Sequence, residues 1–240
     1  MRFACLVAAG LLVPGLVRAQ GAEAPAVAAN DTWTYKDTVE RGGAYRQGRT
    51  EMTVVRARSG GILVSQRPAG SNLTPQEQLI GADWSRSRSV DGHETVVNRP
   101  LQFPLRVGRS WVVDYTETNP NREHSSEHFH TALRVVGWED VTVPAGTFHA
   151  LKIEGDGEWQ AALAPAVSAL TGARVDGQGA TTVVQSNRIT PRTFSGRLYK
   201  AFWYVPGVKR WVKSVEEYYS STGQRNERYT DELESYKVAG

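Results

Sequence analysis

The stretch VTVPAGTFHALKIE, Val141 to Glu154, reads as two strands joined by a tight turn. Val143-Pro144-Ala145-Gly146 puts Pro at the second position of a type I turn and Gly at the fourth, where a bulge requires left-handed backbone. The pattern predicts a three-residue hairpin loop in which Val143 faces Thr147, Thr142 faces Phe148 and Val141 faces His149. Side chains alternate across a strand, so a slip of one residue would invert both faces, and the turn therefore sets the register. Every residue of the stretch has a structural role, and none is needed for chemistry.

Working outward, strand patterns dominate. Thr32 to Val39 is followed by the turn signal Arg41-Gly42-Gly43, and RTEMTVVRA (Arg49 to Ala57) alternates Met52 and Val54 against Thr53 and Val55. Ser59-Gly60-Gly61 breaks that run, which predicts a hairpin with Ile62 to Gln66. Thr74-Pro75 before QEQLI has the N-cap and first-turn Pro of a helix start, predicting one or two helical turns ended by Gly81. Asp83 to Val90 and Glu94 to Val97 form a strand pair about Asp91-Gly92. Trp111 to Thr118 and Glu127 to Val136 lead into the opening hairpin. Val205-Pro206-Gly207-Val208 suits a type II turn, and a turn at Thr222-Gly223 separates Val215 to Tyr219 from Tyr229 to Lys237. The Ala-rich run QAALAPAVSALTG, 160–172, predicts a short helical or irregular insertion, interrupted at Pro165.

The fold class that follows is all-β: a strongly curved antiparallel sheet, or an open barrel or sandwich, with that single insertion. Seven Trp and a 9% aromatic content fit large rings on the concave face of such a sheet.

The first residues, MRFACLVAAGLLVPGLVRA, carry a basic start, an apolar run from Phe3 to Val17 and small residues Val17 and Ala19 flanking Arg18. Residues 1–19 are thus expected to be a signal peptide, too short to span a bilayer. Residues 20–30 are expected to be a flexible Ala/Pro-rich linker, and 31–238 a single β domain. The one cysteine, Cys5, lies inside the leader. A mature chain without cysteine has no disulfide, no thiolate catalysis and no Cys-bound zinc. Loss of Arg2 and Arg18 with the leader lowers the formal charge from +3 to +1. Basic residues are spread along the chain, so a nucleic-acid partner is not expected.

The sequence carries few motifs with a chemical role. REHSSEHFH places His124, His128 and His130 at one parity, able on an extended strand to present imidazoles on one face to zinc or copper. Glu154, Asp156 and Glu158 alternate with Gly155 and Gly157 but lack a calcium-loop pattern and read as a solvated strand face. There is no G-x-S-x-G, no H-E-x-x-H and no phosphate-binding or dinucleotide loop. No catalytic or cofactor-binding residue is assigned, no cofactor is expected, and a non-catalytic role is favoured.

The run GRSWVVDY, then EDVTVPAGTFHALKIE, then FWYVPGVKRWVKS and the closing DELESYK resembles a loose group of bacterial exported proteins of unknown function. The matching residues extend from Gly108 to Lys237. The resemblance implies an extracytoplasmic, bent antiparallel sheet similar to envelope carriers of lipids or lipoproteins, and it transfers no catalytic residue. Lys209 and Arg210 stand where related sequences often carry Gly, which implies a looser turn there.

The leading expectation is therefore a periplasmic or secreted protein binding a lipid or apolar small molecule, with Trp33, Trp111, Trp203 and Trp211 lining the site. An interaction module for an envelope protein, and a metal-binding protein or metalloenzyme using the histidines, are the alternatives.

Overall fold

The computed structural model describes residues 21–164, 168–175, 181–188 and 192–239. The expected signal peptide, 1–19, lies outside the described residues. In chain order the strands are β1 (Gly21–Ala22), β2 (Thr32–Arg41), β3 (Ala44–Arg58), β4 (Gly61–Pro68), β5 (Gln76–Ile80), β6 (Arg86–Val90), β7 (His93–Asn98), β8 (Leu105–Arg106) and β9 (Ser110–Thr118). They continue as β10 (His124–Val143), β11 (Gly146–Leu163), β12 (Ser168–Val175), β13 (Thr181–Arg188), β14 (Thr193–Val205), β15 (Arg210–Tyr219) and β16 (Arg225–Lys237). Among the described residues, no helix is long and apolar enough to cross a membrane.

Ten strands form one open antiparallel sheet in the order β5-β4-β3-β2-β16-β15-β14-β11-β10-β9. The curved all-β architecture is thus as the sequence implies. Tight turns follow the glycines: Gly42 and Gly43, and likewise Asp91 and Gly92, all have positive φ, as two-residue hairpins of the right twist demand. Bulges interrupt the ladders at Val54/Arg56, Val135/Gly137, Trp203/Tyr204 and Leu233/Ser235, and each adds bend and twist to its strand. The sheet curls far enough that the β6–β7 hairpin touches both of its edges, β5 and β9. Asp91 ties that hairpin to β9 by accepting from the Thr118 hydroxyl at 2.6 Å.

One half of the concave face is packed solid. Trp33, Tyr35, Val54, Val64, Leu133, Val135, Ile153, Tyr204 and Leu233 are buried there, with Trp84, Leu101 and Leu105 closing the mouth. Deleting a side chain such as the fully buried Trp33 from a core of this kind costs about 3–5 kcal/mol. Buried Asp31 gathers chain segments at the same end. Its carboxylate accepts from the Ala28 and Ala239 amides at 2.9 and 2.7 Å and from Lys209 Nζ at 3.1 Å.

Several local expectations are corrected by pairing. In the VPAG hairpin the ladder runs Val143–Gly146, Thr142–Thr147, Val141–Phe148 and Asp140–His149. Gly146 joins the ladder instead of standing in the loop, which leaves two loop residues and moves the register by one. The Ala145 amide donates to the Leu233 carbonyl at 2.9 Å, so the turn is also held by β16. QEQLI is strand β5, not helix, because its backbone pairs with β4 from Gln76–Gln66 to Ile80–Ile62.

Pro206–Val208 is a 3-10 turn, not type II, and the left-handed residue is Lys209, at φ 62°. The turn is drawn into the core by aromatic donors. Trp33 Nε1 donates to the Val208 carbonyl at 2.8 Å, Trp84 Nε1 to that of Lys209 at 3.1 Å, and Tyr35 Oη to that of Trp211 at 2.6 Å. In the Ala-rich run, Gln160 to Leu163 end β11 and the chain resumes as β12 from Ser168, in place of the expected helical or irregular insertion; residues 165–167 lie outside the described set. Gly21 and Ala22 of the expected linker pair with Arg106 and Leu105, and Ala22 is buried.

Candidate functional site

The four tryptophans singled out in the sequence do not share one surface. Trp33 and Trp211 are buried on either side of Trp84, whose ring makes edge contacts with both at 5.3 and 6.2 Å. Trp111 is buried separately and donates to the Arg99 carbonyl at 2.9 Å. Trp203 points to the opposite face of the sheet, donating to Glu139 at 2.6 Å beneath Lys152 and Lys213. At the centre of the Trp33–Trp84–Trp211 group lies Arg210, only 8% exposed. Its guanidinium carbon is 4.2 Å from the Trp211 ring centre and 4.8 Å from that of Trp84. This arrangement lets aromatic faces stand in for some of the lost hydration of the cation, and burial lowers the Arg210 pKa from its ordinary value.

The histidines divide as well. His130 Nδ1 and His128 Nε2 flank Asp114 on the outer face at 2.7 and 3.5 Å, and the hydrogen bond from His130 leads in holding that carboxyl below its usual range. His124 pairs instead with Glu127 at 2.6 Å. Among the described residues, no three His, Cys, Asp or Glu side chains converge to hold a metal ion. On the outer face of β11, Glu154 bonds to Lys152 at 2.7 Å and Asp156 lies 3.7 Å from Arg197.

Beyond the packed core, the same concave face opens into a cleft of about 590 Å³. A neighbouring hollow of about 300 Å³ shares Phe129, Glu216 and Tyr218 with it. Strand alternation places the walls. Glu127 and Phe129 come from β10, Trp159 and Ala161 from β11, Glu216 and Tyr218 from β15, and Glu227, Tyr229 and Asp231 from β16. Each pair or triplet is spaced by two, as side chains on one face of a strand must be.

Trp159 is seated over Gly196, its cross-strand partner, and donates to the Tyr219 carbonyl at 3.2 Å. The missing Cβ at Gly196 makes room for this: an added one would lie 2.8 Å from the indole nitrogen and closer still to that carbonyl. Phe129 stacks on Tyr115 at 5.3 Å, and Tyr218 meets Tyr229 edge-on at 6.3 Å.

The carboxylates are not alike. Burial opposes ionisation of Glu216, but Lys200 at 3.3 Å and the Tyr218 hydroxyl outweigh it and hold the carboxyl below its usual range. Glu227 is met by Arg41 at 2.8 Å and by Tyr229 Oη at 2.5 Å. Asp231 sits directly opposite Asp37 of β2 in the ladder. Asp231 accepts from the Ser214 hydroxyl at 2.8 Å and Asp37 from the Thr50 hydroxyl at 2.6 Å. Burial, then the neighbouring charge of Asp37, pushes the Asp231 pKa upward against the Ser214 bond and the more distant Arg210. Burial likewise raises that of Asp37. In the adjoining hollow the balance reverses, with Arg86, Arg88 and Lys200 on its wall; Arg88 donates to Glu117 at 2.8 Å.

Glu127, Trp159, Tyr218, Tyr229 and Asp231 were not assigned from sequence. A usable signal was nevertheless present. In VEEYY and ERYTDEL the core-facing parity carries acidic and aromatic residues where a closed core would carry aliphatic ones.

No family model and no curated protein matches the chain. Two solved structures are distantly similar to it. One is a candidate lipoprotein from Parabacteroides distasonis, with TM-score 0.49 and 13% identity over 90% of this chain and 99% of the other. The second is a candidate exported protein with a YmcC-like fold from Bacteroides fragilis, with TM-score 0.40 and 14% identity over the same shares. Similarity this distant transfers no function.

Proposed function

We propose that this is an exported cell-envelope protein, periplasmic or secreted, that binds an amphiphilic ligand non-catalytically on the concave face of its sheet. The observation supporting this is the cleft beside the packed core, where Phe129, Trp159, Tyr218 and Tyr229 present ring surface to an open space of about 590 Å³. That volume lies within the ordinary range of small-molecule sites, whose walls are largely apolar with a few placed polar groups. Export rests on the leader at 1–19. In this reading Trp33, Trp111 and Trp211 support the site as core, and ligand contact falls to the cleft aromatics.

Native mass spectrometry of the protein purified from an exporting host, with titration of the neutral apolar dye Nile red, tests the proposal. A co-purifying amphiphile and saturable dye binding are expected. Trp159→Ala should weaken the dye about tenfold, a typical loss for removing one buried aromatic contact, while Trp203→Ala leaves binding unchanged. Ligand-free protein that binds no dye would refute it.

A further inference from the structure

Resting on that reading, we infer that the ligand carries a cationic ammonium head, seated between Asp231 and Glu127 within the aromatic wall of the cleft. The first support is the composition of the wall. Four carboxylates line it, Glu127, Glu216, Glu227 and Asp231, with no lysine or arginine beside them among the described residues.

The second is that the negative charge is unevenly answered. Lys200 and Arg41 neutralise Glu216 and Glu227 from outside the wall, whereas among the described residues Glu127 is met by His124 and Asn121. Among the described residues, neither Asp231 nor its cross-strand neighbour Asp37 has a basic group within ion-pair distance. Asp231 accepts from the Ser214 hydroxyl and Asp37 from that of Thr50, the two carboxyls also meet each other, and Arg210 answers Asp231 only at longer range. Like charges directly opposite on paired strands are destabilising, and a positive charge on the cleft side would relieve the pair.

The third support is the type of surface around Asp231 and Glu127. Aromatic faces within reach of carboxylates are the setting in which ammonium groups are held by cation–π attraction together with a formal counter-charge. An anionic head would meet the opposite field here, and the hollow lined by Arg86, Arg88 and Lys200 would suit it better.

Isothermal titration with three amphiphiles of equal chain length, all below their micellar concentrations, tests this: decyltrimethylammonium, decanoate and 1-decanol. The ammonium compound is expected to bind at least about tenfold more tightly than the alcohol, the strength of one charge-assisted contact, and decanoate least. Asp231→Asn and Glu127→Gln should each shrink that preference, whereas Trp203→Ala on the opposite face should leave all three affinities unchanged. Equal binding of all three, or tightest binding of decanoate, overturns the head assignment but leaves the carrier reading standing. A preference that survives both substitutions overturns the placement at these carboxylates. Failure of all three to bind removes both readings.

Discussion

Asp231→Asn is expected to make the protein more stable at neutral pH, although it replaces a hydrogen-bonded, largely buried residue. The wild-type pair sets Asp231 against Asp37 across neighbouring strands, with no ion-pair partner for either among the described residues. Relieving one such like-charge contact is worth up to about 1 kcal/mol, and the new amide can donate to Asp37 while its oxygen still accepts from Ser214. Loss of the longer-range attraction to Arg210 subtracts from the gain.

For a chain of this size, about 1 kcal/mol moves Tm by roughly 2–4 °C. The pH dependence follows from the raised pKa values of both carboxyls. A group that holds its proton more tightly when folded favours the fold fully below its unfolded pKa, and that advantage is lost as pH rises through the folded value. The penalty of the pair is therefore present at pH 7.5 and vanishes below the ordinary Asp range near about 4. Thermal melts followed by far-ultraviolet circular dichroism at pH 7.5 and 3.5 measure both limits. A variant less stable at pH 7.5, or a gain equal at the two pH values, would refute the reasoning. The same substitution is expected to weaken ammonium binding, so stability and affinity should move in opposite directions.

Two further outcomes follow from the packing. Asp31→Ala orphans the Ala28 and Ala239 amides and the Lys209 ammonium and should cost about 3 kcal/mol in urea unfolding, with Asp31→Asn losing less. Gly196→Ala drives a methyl group into the Tyr219 carbonyl and the Trp159 indole; it should cost about 1–3 kcal/mol and weaken Nile red binding by displacing Trp159.

The elements legible in the sequence were those set by local chemistry. Gly42-Gly43 and Asp91-Gly92 are turns because positive φ is needed there, and Met52 and Val54 face inward as their alternation implies. What escaped was decided by distant partners. QEQLI carries helix-start residues, but β4 offers it a ladder. Gly207 appeared to be the left-handed residue of its turn, yet carbonyls captured by Trp33, Tyr35 and Trp84 shape the chain so that Lys209 takes that conformation. The candidate site was least visible, because its walls come from β10, β11, β15 and β16 and its carboxylates, taken one strand at a time, resemble a solvated surface. The bulky tryptophans drew attention for their size, and size suits a closed core as well as an open one.

The ten-strand sheet has its seam in the middle. β2 pairs along nearly its whole length with β16, so in the backbone ladder the β2–β5 and β9–β15 halves are joined through that one strand. Until that strand is laid in, each half presents a bare row of backbone donors and acceptors, the template on which sheets of different molecules join. Closing such a long-range ladder is slow. Before β16 docks, β2 and β15 are both open sheet edges, so any delay in that one step leaves two pairing surfaces exposed to neighbouring chains.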